Sequence, residues 1–195
     1  MFGHTNEPIT LSRDVKAIII PAGEEIKLRE GTAGFITQSL GGSFTIYVEG
    51  NLFRIAGADA DVLGKEPVPP PTIPDNASDA DIAEVIWAQL KTCYDPEIPV
   101  NIVDLGLIYR CQIESLGNGQ RSVIIDMTLT APGCGMGDIL VQDAREKVEV
   151  IPTIVDVEVF LVFDPPWNQG MMSEEARLQT GLMENYDIET RGFRP

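Results

Sequence analysis

The sequence is poor in the residues that most metal sites and nucleophilic enzymes require. It has a single histidine, His4, and three widely spaced cysteines, Cys93, Cys111 and Cys134. No Cys-x-x-Cys pair occurs, which excludes a self-contained four-cysteine metal site and a dithiol redox motif. The odd number of cysteines argues against a disulfide framework. A nucleophile–histidine pair would have to use His4, which the sequence places in a loose terminus, so such a pair is not expected.

Positive charge and long apolar runs are scarce as well. Fourteen Lys and Arg face thirty Asp and Glu, a formal net charge of -16. Such a field repels phosphate backbones and anionic lipid surfaces, so nucleic acids and membranes are not expected partners. The longest apolar run, residues 17–20, ends at Pro21, far short of the roughly 18 residues that span a bilayer. The start of the chain lacks a basic region followed by an apolar stretch, so a cytoplasmic location is expected.

Proline is concentrated in one segment. Five of the ten residues at 66–75 are proline, and proline fixes φ and removes a backbone donor. Residues 66–76 are therefore predicted to form an extended linker. The linker would separate a unit at 1–65 from a second unit at 77–195.

The first unit shows the pattern of short strands and turns. Strands are predicted at 15–20, 34–38, 43–48 and 51–55, with turn signals at Gly41-Gly42 and Glu49-Gly50-Asn51. We expect a small all-β unit, either a barrel or a sandwich. No group of residues in it points to chemistry.

The second unit alternates between helical and strand periodicity. Ser78 followed by Asp81 predicts a capping box that opens a helix ending near residue 92. Two strands, a second helix, a third strand and a short terminal helix follow, at about 107–114, 122–130, 138–148, 154–162 and from 173. The fold class is therefore α+β, with a compact α-β-β-α-β domain whose helices pack on one sheet.

Cys134 is the first candidate for chemistry. It lies between Gly133 and Gly135, after a predicted strand and before a predicted helix. Glycine lets a ligand approach the backbone, and a helix N-terminus favours the thiolate, which binds metals and attacks electrophiles. The negative charge of the chain opposes the thiolate. The alternative is a small structural cysteine in a turn. The glycine spacing fits no dinucleotide or phosphate-binding loop, so nucleotide binding is not expected.

Two carboxylates form the second candidate. Asp95 and Glu97 flank Pro96 in a proline-stiffened loop after the first helix. Carboxylate oxygens bind Fe²⁺ or Mg²⁺, and together with a thiolate they favour a labile iron site over a closed zinc site. The alternative is a turn in which Asp95 caps backbone amides. Asp104 could likewise form a turn or support the site with a hydrogen bond.

Two motifs resemble those of a known family. Residues 95–109 read DPEIPVNIVDLGLIY and residues 128–135 read TLTAPGCG. Both are similar to the motifs of the SufT/PaaD-like family of iron–sulfur cluster assembly. Segments 41–45, 50–57, 165–167 and 171–177 resemble the longer bacterial SufT form. The resemblance implies that Cys134, Asp95 and Glu97 bind iron, a cluster or client proteins. The supporting residues would be Asp104, Thr130, Gly133 and Gly135.

The resemblance also implies a role. The chain would be a non-catalytic accessory factor in iron–sulfur cluster assembly, and iron or a cluster would be held transiently. A single motif cysteine, Cys134, implies a site shared with a second chain or a partner. Expected partners are Suf-type scaffold and carrier proteins, apo iron–sulfur client proteins and a second copy in a homo-oligomer. Two alternatives stay open: an adaptor subunit of a PaaD-like oxygenase system, and a thiol enzyme that uses Cys134.

Overall fold

The N-terminal part of the chain is built from strands. A computed structural model describes residues 6–95, 98, 100–131, 133 and 135–181. The strands are β1 Glu7–Thr10, β2 Val15–Ile20, β3 Glu25–Leu28, β4 Ala33–Leu40, β5 Ser43–Val48 and β6 Asn51–Ile55. They form one antiparallel sheet in the order β1-β4-β5-β6-β2-β3. The predicted all-β character is confirmed.

One core lies against this sheet. Buried apolar side chains from all six strands and from a 3-10 helical segment, Gly57–Leu63, belong to a single cluster. Edge strands β1 and β3 contribute Ile9 and Leu28 to it, so the sheet curves around one interior. The sandwich alternative is wrong, because all the described strands of this part share one hydrogen-bonded sheet.

The proline-rich segment 66–76 contains neither helix nor strand. It contacts the 3-10 segment and the turn between β4 and β5: the Val68 amide donates to the Gly57 carbonyl at 2.9 Å, and the Val68 side chain lies beside Gly42. The linker therefore has fixed contacts at its N-terminal end. The division of the chain into two units at this segment stays a prediction.

The C-terminal part has the predicted order of helices and strands. Its elements are α1 Asp79–Leu90, β7 Ile108–Gly117, β8 Gln120–Met127, α2 Gly137–Glu149, β9 Ile154–Leu161, a 3-10 segment Gln169–Met171 and α3 Glu174–Gln179. The capping box of Ser78 and Asp81 is present at the start of α1. None of the helices in the described ranges is long and apolar enough to span a membrane.

The second sheet positions the segment 128–135, here called the cysteine motif. Strands β7 and β8 pair antiparallel, while β8 and β9 pair parallel. A parallel pair needs a crossover connection, and α2 provides it. The buried faces of α1 and α2 share one core with the sheet, including Ile86, Leu140 and Ile125. Burying each such side chain contributes about 1.5–3 kcal/mol. The cysteine motif is therefore the connection from β8 to α2, held at both ends by core residues.

Candidate functional site

Asp95 organises the loop that it shares with Glu97, here called the acidic loop. The residue is 6% exposed, and Oδ1 accepts a hydrogen bond from the Ile98 amide at 2.9 Å. The Asp95 amide donates to the Val100 carbonyl at 3.2 Å. Asp95 thus makes the turn contact that is typical of an Asp-Pro sequence. Glu97 lies outside the described residues, so its role stays a prediction.

Asp104 supports the same loop from behind. Its Oδ2 accepts from Nδ2 of Asn101 at 2.6 Å. Oδ1 of Asn101 in turn accepts from the Asp104 amide at 2.9 Å. The Ser173 amide donates to the Asp104 carbonyl at 2.8 Å, and Trp167 Nε1 donates to the Leu105 carbonyl at 2.8 Å. Asp104 is therefore a loop-forming residue that joins the acidic loop to the segment before α3.

The glycines around the cysteine differ in what they do. Gly133 has a φ of +79°, and a Cβ at this position would have no described atom within 4 Å, so conformation alone favours glycine there. Gly135 has ordinary φ and open space around it among the described residues. A Cβ on Gly137 would lie 2.8 Å from Cδ1 of Leu129. Close packing at Gly137 therefore seats the start of α2 on the sheet.

Cys134 itself lies outside the described residues, so its exposure and its ionisation stay predictions. Its surroundings are partly defined. Thr128 is buried, and its amide donates to the Leu107 carbonyl at 2.8 Å. Thr130 is half-buried at the bend that follows. Helix α2 begins at Gly137, three positions beyond Cys134, and its N-cap residue Met136 offers no capping side chain.

Asp95 of the acidic loop and Met136, the residue that follows the cysteine motif, border one small cavity. Its volume is about 60 Å³, room for a few water-sized groups. Asp95 lies in its wall, and so does Met136, two positions after Cys134. The rest of the wall comes from the first sheet, the segment after α1 and helix α2: Ile20, Gln38, Leu40, Ser43, Thr45, Arg54, Thr92, Tyr94, Ile139, Leu140 and Asp143.

A buried polar cluster borders this cavity, and sequence reasoning missed it. Arg54 Nη1 of β6 donates to Asp143 Oδ1 of α2 at 2.5 Å, and both side chains are 9% exposed. Cys93, which is fully buried, interacts electrostatically with the Asp143 carboxylate. The available signal was the helical pattern: Asp143 falls on the buried face of α2 beside Leu140 and Ala144. A carboxylate on an apolar face needs a partner.

Burial dominates the electrostatics of the cluster. It raises the pKa of Asp143, and the positive charge of Arg54 opposes that rise. For Arg54, burial lowers the pKa, but the charges of Asp143 and Glu146 outweigh it, so the pKa is raised. We take the pair as charged, since Arg54 also donates to Glu146 Oε2 at 2.9 Å. Lys147 Nζ donates to the Gly41 carbonyl at 2.5 Å, a second polar link between the first sheet and α2.

The two described cysteines are poorly suited to bind metal as thiolates. Burial raises the pKa of Cys93 well above its usual value and raises the pKa of Cys111 to about 11. Neither forms a disulfide within the described part of the chain. Across those same residues, no three His, Cys, Asp or Glu side chains lie close enough together to hold a metal ion. A metal site would therefore need residues outside this set, and Cys134 and Glu97 are both outside it.

Comparison with known proteins identifies the C-terminal part. A family model described as "Iron-sulfur cluster assembly protein" matches residues 83–160. A Porphyromonas gingivalis protein named "Fe-S protein maturation auxiliary factor" is 47% identical over 100 residues, which are 51% of this chain and 91% of that protein. The relative is thus little more than half as long as this chain. The matched family model begins within α1 and leaves the first sheet out.

Two further matches have the same extent. The Staphylococcus aureus "Fe-S protein maturation auxiliary factor SufT" is 39% identical over 88 residues, 45% of this chain and 96% of that protein. A solved structure of a domain of unknown function from Bacillus anthracis is 32% identical, covers 53% of this chain and 94% of that chain, and has a TM-score of 0.48. The resemblance that the two sequence motifs indicated is confirmed, and the chain belongs to the iron–sulfur cluster assembly protein family, with relatives named as auxiliary factors of Fe–S protein maturation.

Proposed function

We propose that this protein is a non-catalytic accessory factor that holds iron or an iron–sulfur cluster transiently between the cysteine motif and the acidic loop. Cys134 would supply the thiolate, and Asp95 and Glu97 would supply carboxylate oxygens. Asp104, Thr130, Gly133 and Gly135 would shape the two loops. The cargo then passes to an apo iron–sulfur protein.

One observation carries the proposal. Asp95 and Met136, which follows the cysteine motif, border the same cavity of about 60 Å³ although about forty residues separate them, and this supports a site formed by both motifs. A thiolate with carboxylates suits iron that must leave again, because oxygen ligands exchange more readily than a closed set of thiolates. The formal charge of -16 also favours the accumulation of cations.

The donor count supports a shared site. Burial holds Cys93 and Cys111 as thiols. Each chain would therefore supply one thiolate ligand, that of Cys134. A cluster needs more thiolates than that. A second copy of the chain, a Suf-type scaffold or carrier protein, or the client would complete the ligand set. We propose that the chain works with these partners in the cytoplasm.

Anaerobic reconstitution tests the proposal directly. Wild type, Cys134→Ala, Asp95→Asn and the control Cys111→Ser would each be incubated with Fe²⁺ and sulfide, then desalted. We expect iron and the visible absorption of a cluster in wild type and Cys111→Ser, little in Cys134→Ala, and a reduced amount in Asp95→Asn. Equal iron in wild type and Cys134→Ala would overturn the proposed site.

A second experiment separates this role from the alternatives. The Cys134→Ala variant is expected to fail in a growth assay that depends on iron–sulfur enzymes, and the wild-type chain is expected to co-purify with cluster assembly proteins. Co-purification with oxygenase subunits would instead favour the adaptor role. Turnover of a thiol-reactive substrate that is lost in Cys134→Ala would favour an enzyme.

A further inference from the structure

The first sheet forms part of the candidate site although the matched family model leaves it out. That match covers residues 83–160, whereas Arg54, Thr45 and Gln38 of the first sheet line the cavity beside Asp95. The strand register explains how they do so. Thr45 pairs with Arg54 on β6 and with Gln38 on β4, so all three side chains project from one face of the sheet.

That face is bound to the first turns of α2 by two kinds of contact. Ile18 pairs with Arg54 in the sheet, and it is buried against Met136 and Ile139. Next to this apolar contact, Arg54 reaches the carboxylate of Asp143. The contacts begin at Met136, so the sheet holds α2 at the end that follows the cysteine motif.

Arg54 makes the more demanding of these contacts. Its guanidinium joins Asp143 at 2.5 Å and Glu146 at 2.9 Å. These two residues are one turn apart on α2, so a planar fork that bonds both fixes the rotation of the helix as well as its distance. Its Nε is buried and has no hydrogen-bond partner among the described residues. Apolar residues of similar volume often stabilise a fold as well as a buried ion pair does, so the pair is better explained by the geometry it imposes.

We propose that Arg54 is a positioning residue of the iron–sulfur site. By bonding Asp143 and Glu146, it sets how α2 lies against the first sheet, and it thereby sets where the Cys134 loop stands relative to Asp95. The inference rests on the proposed function for its cargo. It gives the N-terminal sheet a specific task, which is to complete and align the site.

The test compares three variants with wild type. Arg54→Met keeps the volume and removes both ion pairs, and Arg54→Lys keeps the charge but loses the fork. Arg13→Met is the matched control, because Arg13 also makes two ion pairs, to Asp59 and Asp61, at an exposed position of the same part of the chain. Each variant is examined by thermal unfolding, by anaerobic Fe²⁺ titration and by the rate of Cys134 alkylation without metal.

We expect folded Arg54→Met to bind Fe²⁺ about tenfold more weakly, the lower end of the effect of losing residues that orient ligands. Its Cys134 alkylation rate should change as well. Arg54→Lys should recover part of the Fe²⁺ affinity and part of the wild-type alkylation rate. Arg13→Met should equal wild type in both measurements. A folded Arg54→Met with the wild-type Fe²⁺ affinity and alkylation rate overturns the proposal.

The two readouts separate this inference from the proposed function. If wild type and Cys134→Ala bind Fe²⁺ equally, the proposed function fails, while a changed alkylation rate in Arg54→Met still supports positioning. If Arg54→Met does not fold, Arg54→Lys and Glu146→Gln decide the matter, because each leaves the Asp143 carboxylate facing a cation. Wild-type Fe²⁺ affinity and alkylation rate in both of these variants would overturn the proposal.

Discussion

Arg54 of the first sheet and Asp143 of α2 form a buried ion pair across 89 positions of the sequence, with 2.5 Å between Nη1 and Oδ1. Each side chain is 9% exposed. Removing one partner of such a pair leaves a charge in an environment of low polarity, which is far less favourable than leaving the same charge in water. The stability of the whole chain should therefore respond strongly to a change at either residue.

The Asp143→Asn variant tests this dependence. It should lower the free energy of unfolding by about 3–5 kcal/mol, because the Arg54 guanidinium stays buried with only the Glu146 carboxylate beside it. Urea denaturation followed by circular dichroism measures the change. The Asp61→Asn variant removes a carboxylate from the exposed Arg13 ion pairs and should behave like wild type. A similar loss of unfolding free energy in both variants would mean that the buried Arg54 pair affects stability no more than the exposed Arg13 pairs do.

A double substitution provides the complementary check. Arg54→Leu combined with Asp143→Leu removes both charges together and should be more stable than Asp143→Asn alone, since no buried charge is left without its partner. If the double variant is the less stable of the two, the pair contributes a net stabilisation that its desolvation does not cancel.

Gly106 should tolerate no side chain. It has a φ of +72°, and a Cβ there would collide with the Met171 carbonyl oxygen. Gly106→Ala is expected to lower the free energy of unfolding by about 3 kcal/mol or more. Backbone strain at residue 106 would combine with displacement of the Met171 segment, which is hydrogen-bonded to the acidic loop. Gly117→Ala is the control, since Gly117 has a φ of +87° in open space and should cost only the strain of about 1–2 kcal/mol. Equal losses in urea denaturation would contradict the close approach to Met171.

Cys111 should make stability fall at alkaline pH. Burial raises its pKa from 9.0 to about 11, so the folded chain holds the thiol proton more tightly than the unfolded chain does. The contribution is present below pH 9 and is lost as the pH rises through about 11. Cys111 is partly exposed, so we expect only about 1 kcal/mol after allowing for screening by solvent.

The measurement is the free energy of unfolding at about pH 8 and about pH 10.5, in wild type and in Cys111→Ala. The variant should lose less stability between the two pH values. An identical loss in both proteins would show that other groups, and not the Cys111 thiol, govern the alkaline response.

Thiol labelling should distinguish Cys134 from the other cysteines. Cys93 is fully buried, and burial raises the pKa of both Cys93 and Cys111. The thiolate is the reactive form, so both should react slowly with iodoacetamide near neutral pH. Cys134→Ala is expected to abolish the fast phase of labelling, while Cys111→Ser leaves it intact. Mass spectrometry of the labelled peptides identifies the reactive residue, and a fast phase that persists in Cys134→Ala would contradict an accessible Cys134.

Local sequence patterns predicted most of the elements because their residues carry periodicity and turn signals. Strands β2, β5 and β6 have the predicted bounds. Strands β1 and β3 were missed because each has only four residues, and charged residues or Pro8 occupy their outward positions. Neither strand has enough alternation to stand out from a loop.

The candidate site was predictable as two motifs but not as one place. The sequence marks the loop of Asp95 and the loop of Cys134, and the structure brings Asp95 and Met136 to one cavity. The pairing of Arg54 with Asp143 depends on how the first sheet packs on α2, which no local pattern encodes. Cys134 and Glu97 lie outside the described residues, so the sequence-based prediction for them stays as it was.

The ion pair between β6 and α2 bears on how the chain can be divided. A fragment that starts after the proline-rich segment 66–76 would lack the first sheet. Asp143 would then have no Arg54 beside it, and Met136 and Ile139 would be exposed to water. Such a fragment would be acidic and prone to self-association at the surface next to the cysteine. A nick within the segment should leave the two pieces bound together, and adding the first piece back to the second should restore a single cooperative unfolding transition.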